Sequence, residues 1–232
     1  MDENYKFRHE LKYQCSEEQL LVIQNRLKNL LAVDSHADGG QYSIRSVYFD
    51  NYQNRCFFEN ENGVDSREKF RIRIYNASDN RIALECKQKE NGKTHKIANL
   101  LTKEQFDDIM SGGSLENLSQ KPELLRKFLI LMKMQLFRPA VIVEYERIPY
   151  VYPIGNVRIT LDKNIRSSNN FDDFFAPNLS TRPILPNGQQ LIEVKYDEFL
   201  PDYIKEVLQI EELQRTTFSK YYLCRKYSNG GL

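Results

Sequence analysis

The chain has 232 residues, with 33 Lys plus Arg against 32 Asp plus Glu and a formal charge of +1. That balance excludes a polybasic nucleic-acid arm and an acidic disordered tail. Hydrophobic residues make up 41%, enough for a real core, and three histidines with four scattered cysteines argue against a zinc site and a disulfide framework. No apolar run approaches the roughly 18 residues of a membrane span. The N-terminus lacks the apolar stretch of a secretory signal. The expectation is a cytoplasmic protein of one domain, residues 1–232, with no transmembrane segment.

In chain order, alternation predicts a strand over 5–13, with Lys6, Arg8, Glu10 and Lys12 on one side. Ser16 and Gln19 form a capping box, ahead of Leu20, Ile23, Leu27, Leu30 and Leu31 on one helix face. A strand follows at 42–49. The next, 67–75, sets Arg67, Lys69, Arg71 and Arg73 against Phe70, Ile72 and Ile74. Strands at 81–89 and 93–98 come next. The first of these aligns Glu85, Lys87 and Lys89 against Ile82, Leu84 and Cys86. Thr102 with Gln105 signals a second capped helix, and Pro122 sits at the start of a third.

Strands over 140–148 and 156–163 follow, the second setting Arg158, Thr160 and Asp162 against Val157, Ile159 and Leu161. Residues 164–190 form one long irregular stretch. The strand at 191–197 aligns Glu193, Lys195 and Asp197 on one face, and helices are expected over 201–212 and 216–227. Alternation breaks around Glu144 and Glu146, so their direction stays open.

The strands thus share a cationic face. The bland reading is a solvated outer surface. A packing argument opposes it: the helices carry apolar stripes, and each strand offers only one apolar face to receive them. The charged face then lies on the far side of the sheet, and inside it if the sheet closes. An antiparallel barrel of about eight strands has room for a small ligand. Like charges gathered there favour a polyanion, because Arg and Lys are the natural phosphate binders. Carboxylates among them either pair with the cations or hold a hard divalent metal. Arg67, Lys89 and Lys6, at strand ends, read as solvated, and Glu10 and Glu85 as ion-pair partners.

These segments resemble the VTC (vacuolar transporter chaperone) domain, the polyphosphate polymerase branch of the triphosphate tunnel metalloenzyme superfamily. The match runs through Arg8-His9-Glu10-Leu11-Lys12-Tyr13, Ser46-Val47-Tyr48-Phe49-Asp50 and Lys69-Phe70-Arg71-Ile72-Arg73. It continues through Glu85-Cys86-Lys87, Tyr145-Glu146-Arg147, Val157 to Asp162, Glu193-Val194-Lys195-Tyr196 and Phe218-Ser219-Lys220-Tyr221. The resemblance implies an α+β fold: an eight-stranded antiparallel β-barrel with a charged interior and helices outside. It also implies transfer of the terminal phosphate of ATP to a polyphosphate chain, with Mn²⁺ or Mg²⁺.

Carried over residue by residue, Lys12, Arg71, Arg73, Lys87, Arg147, Arg158, Lys195 and Lys220 are the catalytic cations. Arg8, Lys69 and Ser219 are further phosphate contacts, and Glu193 is the metal ligand. Arg8 stands where the wider superfamily has the first Glu of Glu-x-Glu-x-Lys. Arg215 precedes the last helix, where the family often has another lysine. ATP and polyphosphate are the expected ligands, nucleic acid is not, and a membrane or scaffold partner is left open. A triphosphatase and a non-catalytic polyphosphate binder remain as alternatives.

Overall fold

A computed structural model describes residues 8–209 and 213–228. The expected strand residues 5–7 and helix residues 210–212 lie outside them.

The chain opens with β1 (His9–Ser16), α1 (Glu17–Lys28), β2 (Ala32–Val33), β3 (Tyr42–Asp50), α2 (Arg55–Glu61) and β4 (Arg67–Tyr75). It continues with β5 (Ser78–Glu90), β6 (Lys93–Leu101), α3 (Lys103–Met110), α4 (Glu123–Gln135), β7 (Arg138–Tyr152) and β8 (Val157–Ser168). Last come β9 (Arg182–Pro183), β10 (Gln189–Tyr196), α5 (Asp202–Val207), β11 (Gln214–Arg215) and α6 (Lys220–Ser228). The eight long strands pair antiparallel in the order β1-β10-β8-β7-β3-β4-β5-β6.

The sheet curls into a barrel-like tunnel. Its two edges, β1 and β6, meet at the Arg8–Thr94 bridge rather than along a full ladder. The segment leading into α6 lies on the outer edge of β1. There β11 pairs with Tyr13 and Gln14, and the Thr216 amide donates to the Lys12 carbonyl at 2.8 Å.

The packing argument holds. Phe70, Ile72 and Ile74 of β4 point away from the tunnel and are wholly buried. They belong to a core that includes Phe57 of α2, Phe106 of α3, Phe128 of α4 and Cys224 of α6. A second core sets Leu20, Ile23 and Leu27 of α1 and Ile204 of α5 against Ile159, Leu161, Ile192 and Val194. Each such side chain contributes about 1.5–3 kcal/mol of burial. The capping boxes at Ser16 and Thr102 form as read, each with its reciprocal pair of hydrogen bonds.

Several segments differ from the sequence reading: α5 ends at Val207, α6 begins at Lys220 rather than 216, and two others change register or order. The register of β7 against β8 shifts where Glu144 meets Arg166 and Glu146 meets Lys163. The extra residue belongs to β8, next to Asn164 at φ 52°, while β7 runs unbroken there against β3, so Glu144 and Glu146 share one face. Glu144 turns to Arg45 and Glu146 to Asn164. The stretch 164–190 is only partly irregular. β8 runs on to Ser168, and β9 pairs with its extension at Arg166 and Ser167. Arg45 then ties the remaining loop down, with Nη1 donating to the carbonyls of Phe174 at 2.7 Å and Ala176 at 2.8 Å.

α2 had no sequence expectation. It is entered through Asn54 at φ 55° and held from outside itself: Asp50 accepts from the amides of Cys56 at 2.8 Å and Phe57 at 3.1 Å. The same carboxylate accepts from the Tyr221 hydroxyl at 2.5 Å, so Asp50 joins α2 to α6.

The cationic tunnel as candidate active site

A cavity of about 930 Å³ occupies the tunnel. Lys12 of β1, Lys69, Arg71 and Arg73 of β4, Lys87 of β5, Arg147 of β7, Glu193 and Lys195 of β10, and Ser219 and Lys220 at the start of α6 all line it. The pleat of each strand carries these side chains inward, and α6 enters beside the seam.

Arg158 and Arg8, expected among the phosphate contacts, do not line the cavity. Arg158 sits on the tunnel-facing side of β8 but is bound to Asp34 at 2.8 Å and to the Tyr42 hydroxyl at 3.2 Å. Arg8 pairs with Asp197 at 3.1 Å. The physical reason is stagger. A barrel's shear offsets neighbouring strands along its axis, so a residue on the correct face still falls beyond the cavity.

Conversely, Arg67 and Lys89, read as solvated, line the cavity together with Arg215, Asn60, Tyr48, Tyr145, Tyr221 and Tyr222. Tyr145 lies two residues before Arg147 and so on its face, a signal the sequence carries. Lys96 of β6, also unread, reaches Glu85 at 3.1 Å.

The deep carboxylates are each held by several cations. Arg147 grips Asp162 through Nε at 2.7 Å and Nη2 at 2.8 Å, and Lys220 reaches the same carboxylate at 2.6 Å. Burial disfavours charge on Asp162, but Arg147 and Lys220 overcome it and lower its pKa. Glu85 meets Arg71 at 2.6 Å and Lys96 at 3.1 Å, with Arg73 at 3.9 Å. Burial again opposes its charge, yet Arg71, Arg73 and Lys96 hold its carboxyl well below the usual range. Glu10 spans Lys87 at 2.9 Å and Lys12 at 3.0 Å.

Other cations are less well matched. Lys69 stands directly across the ladder from Lys87. At a cross-strand spacing near 5 Å and an effective dielectric near 20, such a pair repels by about 3 kcal/mol. Burial, then Arg67, Lys87 and Lys12, push Lys69 down to about 7. Burial, then Lys12 and Lys195, bring Lys87 to about 8 against the pull of Glu10. An arriving polyanion relieves this strain.

Glu193 bonds Arg147 at 3.3 Å and Lys195 at 3.5 Å. Its carboxyl also lies within hydrogen-bond reach of Glu10. Directly opposite Glu193, the Thr160 hydroxyl oxygen is buried without a hydrogen-bond partner among the described residues. Two facing carboxylates and an unsatisfied hydroxyl fit a divalent cation with hard oxygen ligands. No cluster of three or more His, Cys, Asp or Glu suited to a metal occurs among the described residues. A cation bound to so few protein oxygens would need substrate phosphates and water to complete its shell, as Mg²⁺ does.

No helix among the described residues is long and apolar enough to cross a membrane. No curated protein matches the chain. Among solved structures, the putative adenylyl cyclase HpAC1 from Hippeastrum, described as having a dominant triphosphatase activity, superposes with a TM-score of 0.57 at 14% identity, over 98% of this chain and 97% of its own. Protein PH1819 from Pyrococcus horikoshii OT3 gives 0.50 at 13% identity, over 96% and 98%. At such identities the likeness is one of fold. The family model of the VTC domain matches residues 7–229. The chain therefore belongs to the VTC domain family and carries the tunnel fold of the triphosphate tunnel metalloenzymes.

Proposed function

We propose that the chain, read as one tunnel domain, is a metal-dependent polyphosphate polymerase that transfers the terminal phosphate of ATP to a polyphosphate chain. The observation that carries this reading is the tunnel cavity, whose lining cations outnumber its carboxylates. Lys12, Arg71, Arg73, Lys87, Lys195 and Lys220 grip the phosphates of donor and acceptor, with Lys69 and Ser219 beside them. Catalysis of phosphoryl transfer is mostly positioning and charge neutralisation, which such a cavity provides.

A terminal phosphate oxygen of the acceptor forms the new bond to the γ-phosphorus. The bond to the β–γ bridging oxygen breaks, and its electron pair leaves with ADP. The attacking oxygen is already ionised, so no protein base is required. Glu193, with Glu10 beside it, would hold Mn²⁺ or Mg²⁺, which would supply further charge neutralisation.

Triphosphate hydrolysis is the second reading, favoured by the activity ascribed to the Hippeastrum neighbour. It needs a carboxylate to position water. All four carboxylates meet cations, but the contacts of Glu193, at 3.3 and 3.5 Å, are longer than the shortest ones to Glu85, Asp162 and Glu10, which favours Glu193 for that role. Incubation with ATP and Mn²⁺ separates the readings. Long-chain polymer is the expected product. Orthophosphate alone supports the hydrolase, and tight polyphosphate binding without turnover supports a binding module.

A further inference from the structure

The β4–β5 ladder is graded along its length. Arg71 pairs with Glu85, a cation with a carboxylate. The next inward-facing pair toward the Asn91–Gly92 turn is Lys69 with Lys87, and the one after is Arg67 with Lys89. Two successive cation–cation pairs therefore follow a neutralised one. At about 3.4 Å per residue, the outermost pair stands about 14 Å along the strand from the Arg71–Glu85 pair.

Local acids only partly neutralise this outer stretch. Lys87 has Glu10 at 2.9 Å. For Lys89 the pairing carboxylate is Asp65, at 3.9 Å, and Asp65 also accepts from the backbone amides of Asn91 and Gly92, which caps the turn. One Arg67 nitrogen donates to the Val64 carbonyl. Lys69 donates to two neutral oxygens, Asn60 Oδ1 at 2.5 Å and Ser219 Oγ at 3.3 Å. Glu61, which also faces the cavity, accepts from the Tyr222 hydroxyl at 3.1 Å. Burial lowers the pKa of Arg67 against the pull of Asp65 and Glu59, and burial with Arg67, Lys87 and Lys12 lowers that of Lys69.

We propose that Arg67 and Lys89, with Lys69 behind them, form a rim subsite for the distal phosphates of a long linear polyphosphate, outside the part of the tunnel that a triphosphate fills. This rests on the tunnel being a polyphosphate site. The guanidinium fork of Arg67 and the ammonium of Lys89 match the dispersed charge of a phosphate chain. The rim selects for chain length, because a short ligand held in the deep tunnel has no phosphate left to reach it.

The test measures equilibrium binding, without ATP, of inorganic tripolyphosphate and of long-chain polyphosphate. It uses the wild-type chain, the Arg67→Ala/Lys89→Ala double variant and the charge-retaining Arg67→Lys variant. Wild type is expected to favour the long chain. The double variant should lose roughly tenfold or more of long-chain affinity, the scale of losing hydrogen bonds to charged groups. Its tripolyphosphate affinity should fall by a smaller factor. The dependence of log affinity on log salt should flatten by about two, one for each phosphate contact removed. Arg67→Lys should recover part of the loss. Equal losses for both ligands, or none for either, overturn the rim subsite while leaving the tunnel assignment standing. A wild-type chain that binds neither ligand overturns both. Unchanged thermal unfolding of the double variant in phosphate-free buffer, or a rise in Tm, shows that the loss is not misfolding.

Discussion

Arg45, buried, and Lys69, half-buried, are cations on the same barrel, on opposite sides of its wall. Arg45 points outward and is only 2% exposed. Its Nε and Nη2 donate to Glu144 at 2.9 and 2.6 Å, and its Nη1 to two loop carbonyls. Lys69 points into the tunnel, opposite another lysine, and its nitrogen has two neutral oxygens as hydrogen-bond partners. The first charge is fully compensated, so it is structural. The second is not: burial and its neighbours push Lys69 down to about 7, and an anion in the tunnel would hold its proton. Incomplete pairing, more than charge itself, marks the functional face.

The sharpest way to break that contrast is to remove one cation from each side. Arg45→Ala should lower stability by about 3–5 kcal/mol in chemical denaturation, because it strands Glu144 and two carbonyls. Any protein that stays folded should keep its activity. Lys87→Ala or Arg73→Ala should do the reverse. Polymer formation from ATP should fall by about 10²–10³-fold, the usual scale for losing one preorganised charge donor, while the fold survives. Unaltered synthesis in both variants would sink the tunnel assignment.

A smaller effect sharpens the comparison. Lys69→Met should raise phosphate-free stability by about 0.5–2 kcal/mol, the range for a typical stabilising change, while weakening phosphate binding. The pH dependence agrees in sign. The Lys69 pKa is about 7 when folded and near the usual lysine value when unfolded. Between those values the unfolded chain binds more protons, so stability rises with pH across that window. Phosphate should restore the charge. Tripolyphosphate binding at pH 8 should then take up protons, read as a dependence of calorimetric binding heat on buffer ionisation enthalpy. Proton release would contradict the crowded-cation account.

How far the site was legible depends on local regularity. β4 was read over its full span, because nine residues alternate without a break. β8 was read only to residue 163, because the bulge after Lys163 interrupts its period. α2 left no trace, since its first amides are capped by Asp50, outside the helix and across a left-handed turn at Asn54. Face was legible where position along the tunnel was not. Arg158 and Arg8 have the right parity, yet they meet Asp34 and Asp197 instead of the cavity. Arg67 and Lys89 were set aside as strand ends for the same reason: alternation reports sidedness, while shear sets depth.

Ser219 provides the finest division between the two roles, because one hydroxyl serves both. It accepts from the Tyr222 amide at 3.3 Å at the start of α6, and from Lys69 at 3.3 Å inside the tunnel. Its own proton is left to donate to a phosphate oxygen. Ser219→Ala should cost about 1 kcal/mol through the lost cap and weaken polyphosphate binding severalfold. Ser219→Asn keeps a capping oxygen at that position. It should recover the stability without recovering the affinity, since the amide is bulkier and its NH2 donor does not sit where the hydroxyl proton does when the oxygen caps the helix. If stability and affinity return together in the Asn variant, the hydroxyl acts only through the helix. If affinity alone stays low, Ser219 contacts the ligand itself, and α6 is part of the tunnel wall rather than its support.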